Sequence, residues 1–557
     1  MEKLQLLDYY SFSFYMLLMA GVGIFFGWFV KDISQYFKGG NTIPWLIGAI
    51  SNYMGLFSSF VFVAHAGIAY QYGLFGVIIL WSTVFPCLLA AIFLGKRWRR
   101  SGIITPVEYL ETRFNSGVRQ TFSWIGLGIR FLDNMVRLYA IGIFITTATS
   151  FSFFEAIMIS GFVITAFTIV GGVWAVVVMD TLQFVILIFA SLLLVPLALD
   201  AAGGISHLVN SHPDHFNFFN GPNATPLWIL VYYLLISLKY NANWVFIQRF
   251  YSVKDEASSK KLGYFTAALF FVFPIFFLLP AIAAQEILPD LDNPEMAYVG
   301  VAVKLLPSGL MGLMLAAIFS ATMSSLNSEF NVMSGVLTSD IYKRLFKKDG
   351  SEKHYIWVAR LNIVLVGIVA TVGALFVGQL GGAFEANKLL TGIFSIPLAI
   401  PLIFGILFKK PRPIGAIATV IIGIALGLVL NAISGLSWEL ATLIEIVVCF
   451  LIFFGSGSFV SKSQEYIQRV DAFFSLLKTP LRKEDIPTIS PEFLHVLYLV
   501  FVAALAVSGA LIFAMALFSL GTFGSNIALC GSTVLILLSA LLYFFSRRFK
   551  PKKQTIV

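Results

Sequence analysis

The stretch that decides the fold is residues 173–200, which read VWAVVVMDTLQFVILIFASLLLVPLALD. A helix of roughly 20 apolar residues is long enough to cross a hydrocarbon core of about 30 Å. Similar stretches recur along the 557 residues, of which 59% are hydrophobic and 12% charged. With a mean hydropathy of +0.89, the chain is too apolar for a soluble globular protein. We therefore expect an all-α, polytopic membrane protein.

Fifteen transmembrane helices are predicted in total. The spans cover about 8–31, 43–72, 73–96, 119–150, 152–171, 173–200, 226–248, 262–288, 302–345, 355–381, 385–408, 413–434, 437–460, 492–519 and 525–546. No large soluble domain interrupts them, so the lipid bilayer is the expected partner of most of the surface.

The loops between the spans carry the basic residues that orient the chain. Clusters such as residues 96–100 and 409–412 alternate with loops such as 201–225, which has no Lys or Arg. Because cytoplasmic loops are enriched in Lys and Arg, we expect an outside N-terminus and a cytoplasmic C-terminus in the plasma (inner) membrane. The net charge of +9 lies in these clusters, so no nucleic-acid partner is expected.

Two spans carry polar residues where a membrane helix is normally apolar. Span 43–72 has glycine, serine and asparagine in its middle, and span 302–345 has six hydroxyl or amide side chains between Ser320 and Ser328. Transporters use such discontinuous or oxygen-rich helices to replace the water around a cation. Small residues also let helices pack closely, and for span 43–72 both interpretations stay open. For span 302–345 the density of oxygens favours a binding site.

Asp180 places a carboxylate inside span 173–200. Such residues are costly in a membrane and usually mark an ion path or a buried pair. Because Asp180 lies about two turns from the predicted cytoplasmic end, its side chain could instead extend to the membrane surface. We favour the functional role.

Several motifs, in this order, resemble the sodium/solute symporter family, which includes sodium-coupled sugar, sialate and monocarboxylate carriers. The most specific is 321–343, which is similar to the family pattern A-x-x-S-S-L-x-S-x-x-N…D-I-Y-K. A second stretch, 171–183, is similar to G-G-x-x-A-V…D-x-x-Q. The resemblance implies a LeuT-like core of two inverted five-helix repeats over 43–408. One extra helix over 1–42 would precede it, and 409–557 would add further helices with a cytoplasmic loop at 461–491.

The resemblance also implies where sodium binds. The principal site would use the hydroxyls of Ser324 and Ser325 and the backbone carbonyls of Ala321, Met54 and Phe57, which are the hard oxygens that Na⁺ prefers. Some family members have a second sodium site, which four residues would form here. These are Asp180, Ser325, Asn327 and Ser328. Na⁺ would be the coupling ion, with no other metal and no cofactor.

The solute pocket departs from the galactose carriers of the family. Their polar sugar ligands match Val61, Leu80 and Phe270 here, while Asn243 is kept. A polyol would bind poorly against three apolar side chains, because its hydroxyl groups would lose water without replacement.

Charged residues within the spans offer a different kind of ligand. Asp133 and Arg137 lie one turn apart on one predicted helix, and Lys239 lies one turn before Asn243. Asp133 and Arg137 could form an internal pair. An anionic solute is nevertheless favoured over a neutral one.

We therefore expect sodium-coupled symport of a small polar organic solute (a sugar, sugar acid or carboxylate) by alternating access. A sodium-independent uniporter or channel on the same fold is the main alternative, and a membrane sensor or enzyme is another. An enzyme is not expected, because His65 is the only histidine well inside a predicted span, His495 lying at the start of 492–519, and none of the common catalytic motifs is present.

Overall fold

The computed structural model describes residues 4–27, 33–221, 224–380, 383–433, 435–459, 463–488, 490–518, 521 and 523–549. In this part of the chain the secondary structure is helical, apart from one isolated bridge between Ile43 and Val253. The longer helices are Leu6–Gly27, Trp45–Leu56, Val61–Tyr72, Phe75–Arg100, Ser116–Ala148, Phe153–Ala201, Pro226–Asn241, Trp244–Ser252, Glu256–Ile287, Leu310–Phe346, Glu352–Ala374, Ala386–Leu407, Pro413–Ala432, Trp438–Phe459, Pro491–Phe518 and Phe523–Ser546. Shorter helices cover Ile33–Lys38, Tyr109–Arg113, Ile205–Ser211, Ala297–Leu305 and Gln464–Lys478.

Within the described residues, 12 helices are long and apolar enough to cross a membrane, or 13 if one bent pair counts as a single span. The predicted total of fifteen is not confirmed. Predicted span 152–171 corresponds to the shorter apolar helix Phe153–Ile169. Predicted span 226–248 is divided into a helix of 16 residues and one of 9. The division has a local cause, because the extended Asn243 caps the second piece by accepting a hydrogen bond from the Phe246 N–H at 3.0 Å.

The bent pair is the helix over the predicted span 43–72, which we term the broken helix. Its halves, Trp45–Leu56 and Val61–Tyr72, meet at an angle of 63°. Phe57 has the extended φ of −98° and ψ of 138°, so the helical hydrogen bonding stops there. The polar span of the sequence is therefore a discontinuous helix.

The second polar span forms an unbroken helix, Leu310–Phe346, which we term the serine-rich helix. The predicted start at residue 302 is wrong, because Leu306 is extended and Gly309 adopts a positive φ of 87°. The chain is α-helical throughout the polar run from Ser320 to Ser328. This span is therefore rich in oxygens without being discontinuous.

The boundary predicted between spans 152–171 and 173–200 is confirmed. Helix Phe153–Ala201 contains one non-helical residue, Gly172, with φ of 56° and ψ of −171°. A residue with a side chain rarely adopts this conformation. We term Phe153–Ala201 the kinked helix.

The helix Leu6–Gly27, termed the N-terminal helix, holds the start of the serine-rich helix. The Asp8 carboxylate accepts hydrogen bonds from the backbone N–H groups of Gly309 at 2.6 Å and Gly312 at 2.9 Å. The first N–H groups of a helix have no partner within it, so an acidic side chain there stabilises the helix start.

The kinked helix and helix Glu352–Ala374 approach each other through two reciprocal glycine–threonine contacts. A Cβ atom on Gly161 would lie 2.0 Å from Thr371 Oγ1, and one on Gly367 would lie 2.0 Å from Thr165 Oγ1. Each threonine hydroxyl is also fixed by a 2.7 Å hydrogen bond to a carbonyl of its own helix. Small residues allow this close approach of membrane helices.

We expect Gly161→Ala to lower the free energy of unfolding by about 1–2 kcal/mol, because the added methyl group must push the two helices apart. Thermal unfolding of the purified protein measures the change. Gly128→Ala is the matched control, since a Cβ there has no neighbour within 4 Å. Equal midpoints for the two variants would contradict the close helix contact.

Candidate functional site

The broken helix and the serine-rich helix meet at the level of the helix break. The backbone N–H of Ser59 donates a 2.9 Å hydrogen bond to Thr322 Oγ1. The five residues of the predicted principal sodium site lie on these two helices and are at most 2% exposed: Met54, Phe57, Ala321, Ser324 and Ser325. The structure therefore brings the two ligand-bearing segments together away from lipid and water.

Asp180 lies beside this pair of helices and is 1% exposed. It accepts a hydrogen bond from Ser324 at 2.6 Å and another from Ser51 of the broken helix. Its second oxygen lies 3.7 Å from the guanidinium of Arg249, which is itself 1% exposed. These internal partners show that the side chain of Asp180 does not extend to the membrane surface.

Arg249 is the centre of this polar network. It donates to Ser51 at 2.9 Å, to Ser328 at 2.8 Å and to the side chain of its neighbour Gln248 at 2.7 Å. The network thereby connects the broken helix, the kinked helix, the serine-rich helix and helix Trp244–Ser252. Buried charges require such pairing and hydrogen bonding.

The residues of the predicted second sodium site have separate partners. Ser325 donates to the backbone carbonyl of Thr322 at 3.0 Å, and Asn327 accepts from Thr168 at 2.6 Å. Ser328 accepts from Arg249. Of the predicted hydroxyl ligands on the serine-rich helix, the one that contacts Asp180 is Ser324 of the principal site.

A cavity of about 80 Å³ lies next to the break, with room for several water molecules. All seven predicted solute residues line it: Val61, Leu80, Asp133, Arg137, Lys239, Asn243 and Phe270. Its wall also includes Phe57 of the predicted sodium site. The ion and solute residues named from the sequence therefore converge on one region of the protein.

Five charged side chains, two of them buried and three partly buried, form a cluster beside this cavity, termed here the charged cluster. Its members are Arg130, Asp133, Arg137, Lys239 and Glu329. Asp133 lies 3.3 Å from Arg137 and 3.4 Å from Lys239, so the predicted internal pair is present and is shared by a second cation. Three cations face two carboxylates, which leaves one positive charge in excess.

Two members of the charged cluster were not predicted. Glu329 is fully buried and lies 3.5 Å from Arg130 and 3.8 Å from Arg137. Its carboxylate also accepts a hydrogen bond from the amide of Asn243 at 3.0 Å. A carboxylate next to the serine run is a signal that could have identified Glu329, since an ionisable residue within a membrane span usually has a partner or a function.

The charged cluster has capacity to bind a further polar group. Among the described residues, Arg137 Nη1 is buried without a hydrogen-bond partner, although Arg137 Nη2 contacts both carboxylates. A guanidinium can form paired hydrogen bonds with a carboxylate. His65 also lines the cavity.

A small polar cavity beside a discontinuous membrane helix and a buried, oxygen-rich helix is typical of a secondary transporter. The sequence profile of the sodium:solute symporter family matches residues 36–423. The chain belongs to the sodium:solute symporter family.

Characterised and uncharacterised relatives agree with this assignment. The sodium/glucose cotransporter of Vibrio parahaemolyticus is 26% identical over 469 residues, covering 77% of this chain and 86% of that protein. Sodium-coupled monocarboxylate transporter 1 of Xenopus laevis is 25% identical over 443 residues, covering 76% and 71%. The uncharacterized symporter YidK of Escherichia coli is 25% identical over 461 residues, covering 77% and 79%.

A solved structure with a similar fold is the substrate-bound, outward-open state of a Na⁺-coupled sialic acid symporter. Its TM-score is 0.73 at 23% identity, and the match covers 83% of this chain and 99% of that one. The predicted all-α, LeuT-like architecture is thereby confirmed. As a family member, the protein is a multi-pass membrane transporter of a small-molecule solute, with Na⁺ as coupling ion.

Proposed function

We propose that this protein imports a small carboxylate-bearing solute together with sodium across the plasma membrane. The observation that carries the proposal is the charged cluster, in which three cations face two carboxylates. An uncompensated charge in a membrane protein is costly, and a bound anion would balance it. The alternation of basic and Lys- and Arg-free loops supports an outside N-terminus and a cytoplasmic C-terminus.

We expect the carboxylate of the solute to accept a hydrogen bond from Nη1 of Arg137. Arg137 Nη1 is buried at the cavity and, within the described part of the chain, has no hydrogen-bond partner. Lys239 is already engaged, because its ammonium donates to Asn387 at 3.1 Å and Thr391 at 2.8 Å besides its contact with Asp133. Lys239 would therefore support the anion mainly through its charge.

The other walls of the cavity restrict the rest of the solute. Val61, Leu80 and Phe270 are apolar, and each is at most 5% exposed. A polyhydroxylated ring would leave hydroxyl groups without partners against them. This part of the wall favours an apolar portion of the solute, whereas Ser58, Thr83 and Tyr240 elsewhere in the lining offer hydrogen bonds to its polar groups.

For sodium we infer a site between the broken helix and the serine-rich helix. The ligands would be the carbonyls of Met54, Phe57 and Ala321 with the hydroxyls of Ser324 and Ser325. Support comes from the burial of all five and from the helix break, which frees backbone carbonyls beside the serines. The second site of Asp180, Ser325, Asn327 and Ser328 stays a prediction, and Arg249 already supplies a cation beside its carboxylate.

Ser324→Ala is expected to raise the sodium concentration for half-maximal uptake by about tenfold, since losing a ligand or partner of a charged group costs about 1.5 kcal/mol. Uptake by reconstituted vesicles, measured over a sodium series, gives this value. Because coupling is reciprocal, the variant must also bind the solute more weakly at fixed sodium.

Ser334→Ala is the matched control, because Ser334 lies further along the serine-rich helix and its hydroxyl donates to the Ala359 carbonyl of helix Glu352–Ala374. Wild-type sodium dependence in both Ser324→Ala and Ser325→Ala would remove the assigned site. Uptake by the unaltered protein that does not change when sodium is replaced by choline would favour a uniporter instead.

A further inference from the structure

An apolar groove of about 560 Å³, separate from the solute cavity, lies against the start of the serine-rich helix. Its walls come from the N-terminal helix, the end of helix Ser116–Ala148 and the kinked helix before Gly172. Leu315 and Phe319 of the serine-rich helix form its floor, and Phe12 packs edge-on against Phe319 with ring centres 5.8 Å apart.

The groove exists because the N-terminal helix is fixed to other helices near both of its ends. Near its start, Asp8 holds Gly309 and Gly312, and Ser11 donates to the Gly309 carbonyl at 2.9 Å. Near its end, Gly23 lies against Met179, which follows the kink. The groove occupies the space opposite the part of the kinked helix that precedes Gly172.

The groove has the dimensions of one membrane leaflet. From Asp8 to Ala20 its wall extends for twelve helical steps, or about 18 Å. Half of a hydrocarbon core is roughly 15 Å thick. It is also open at the side, since Leu17 is 72% and Ile159 46% exposed.

The polarity of the lining changes along this length. Polar side chains lie at the end near the N-terminus, where Asp8, Tyr9 and Thr149 contribute. Towards the middle of the membrane the lining is apolar, with Ala20 and Phe167. An amphiphile with a polar group at one end and a hydrocarbon chain at the other matches this gradient.

We propose that this groove binds one acyl chain of a membrane phospholipid from the leaflet on the N-terminal side. The polar headgroup would lie near Tyr9 and Thr149, and the chain would pack on Phe319. Phe319 directly precedes Ser320 and Ala321, so the lipid contacts the helix that carries the inferred sodium ligands. The proposed lipid site does not depend on which solute the protein transports.

The test uses the full-length protein in nanodiscs of phosphatidylethanolamine and phosphatidylglycerol. A phosphatidylethanolamine with a photoreactive diazirine at the end of one acyl chain is added at increasing mole fraction, and crosslinked peptides are mapped by mass spectrometry. Labelling of peptides from residues 9–20 and 156–167 should saturate at low mole fraction. Labelling of helix Pro413–Ala432, which exposes Ile421 and Ile422, should keep rising in proportion.

A pair of variants separates the groove from the general lipid surface. Ala20→Phe places a ring in the groove and should lower its labelling at least fivefold. Ala425→Phe, the same change at an exposed position of helix Pro413–Ala432, should leave groove labelling unchanged.

Labelling that rises in proportion on both surfaces of the unaltered protein would overturn the proposal without any variant. Saturable labelling by a diazirine fatty acid, together with proportional labelling by the phospholipid, would also overturn it and identify a free fatty acid as the occupant.

Discussion

Arg249→Gln is expected to lower the free energy of unfolding by about 3–5 kcal/mol, the largest effect of any single change considered, because it leaves a buried carboxylate without its cation. Asp180 and Arg249 are each 1% exposed and lie 3.7 Å apart. Ser51 and Ser328 would also lose their donor. Thermal unfolding in detergent measures the loss.

Two further variants make this result specific. Arg344→Gln removes a guanidinium from an ion pair with Glu111 in which the arginine side chain is 43% exposed, so it should cost at most about 1 kcal/mol. The double variant Asp180→Asn/Arg249→Gln removes both charges and should recover part of the stability. If Arg249→Gln and Arg344→Gln unfold at the same temperature, the buried pair does not stabilise the fold.

Arg137→Gln is expected to weaken uptake of a carboxylate solute by roughly 30-fold, which corresponds to about 2 kcal/mol for a buried charged contact. Glutamine keeps much of the side-chain length and one amide donor but removes the charge and the paired hydrogen bonds. The measurement is sodium-driven uptake into proteoliposomes, with the solute chosen by a thermal-shift screen of carboxylates, sugar acids and sugars.

A second substitution distinguishes solute binding from the internal pair. If Arg137 only neutralises Asp133, the double variant Asp133→Asn/Arg137→Gln should restore uptake, because the carboxylate that lost its guanidinium partner is also gone. If Arg137 binds the solute, uptake should stay low in the double variant. Unchanged uptake in both Arg137→Gln and Lys239→Gln would exclude an anionic solute at this cavity.

The features predicted correctly from the sequence are those encoded within a single segment. Apolar length located most of the spans, and the predicted boundary at residue 172 coincides with the kink of the long helix. The polar residues of 43–72 left a helix break and close packing equally open, and the backbone angles of Phe57 decide for the break. Asn243 was named as a solute residue, but its role as a helix cap depends on whether the chain before it continues as a helix, which composition does not decide.

What was missed depends on contacts between distant segments. Glu329 lies 199 residues from Arg130 and 86 from Asn243, yet it contacts both. Ser328 stays a sodium ligand predicted from the family resemblance, and in the structure its hydroxyl accepts a hydrogen bond from Arg249. The hydroxyl oxygen of a helical serine can bind a metal ion or accept a hydrogen bond from an arginine. The amino-acid sequence alone therefore does not show which partner the serine has.

The paired glycine–threonine contacts have a mechanical consequence for transport. The kinked helix before Gly172 and helix Glu352–Ala374 are in contact at two points along their length. At each point a threonine of one helix packs against a glycine of the other helix. If one helix slid past the other, each threonine hydroxyl would collide with the backbone next to the glycine that it contacts. We therefore expect the two helices to move together as one rigid body. We therefore expect the conformational change of transport to occur elsewhere, by rotation of the broken helix and its partners about these two helices.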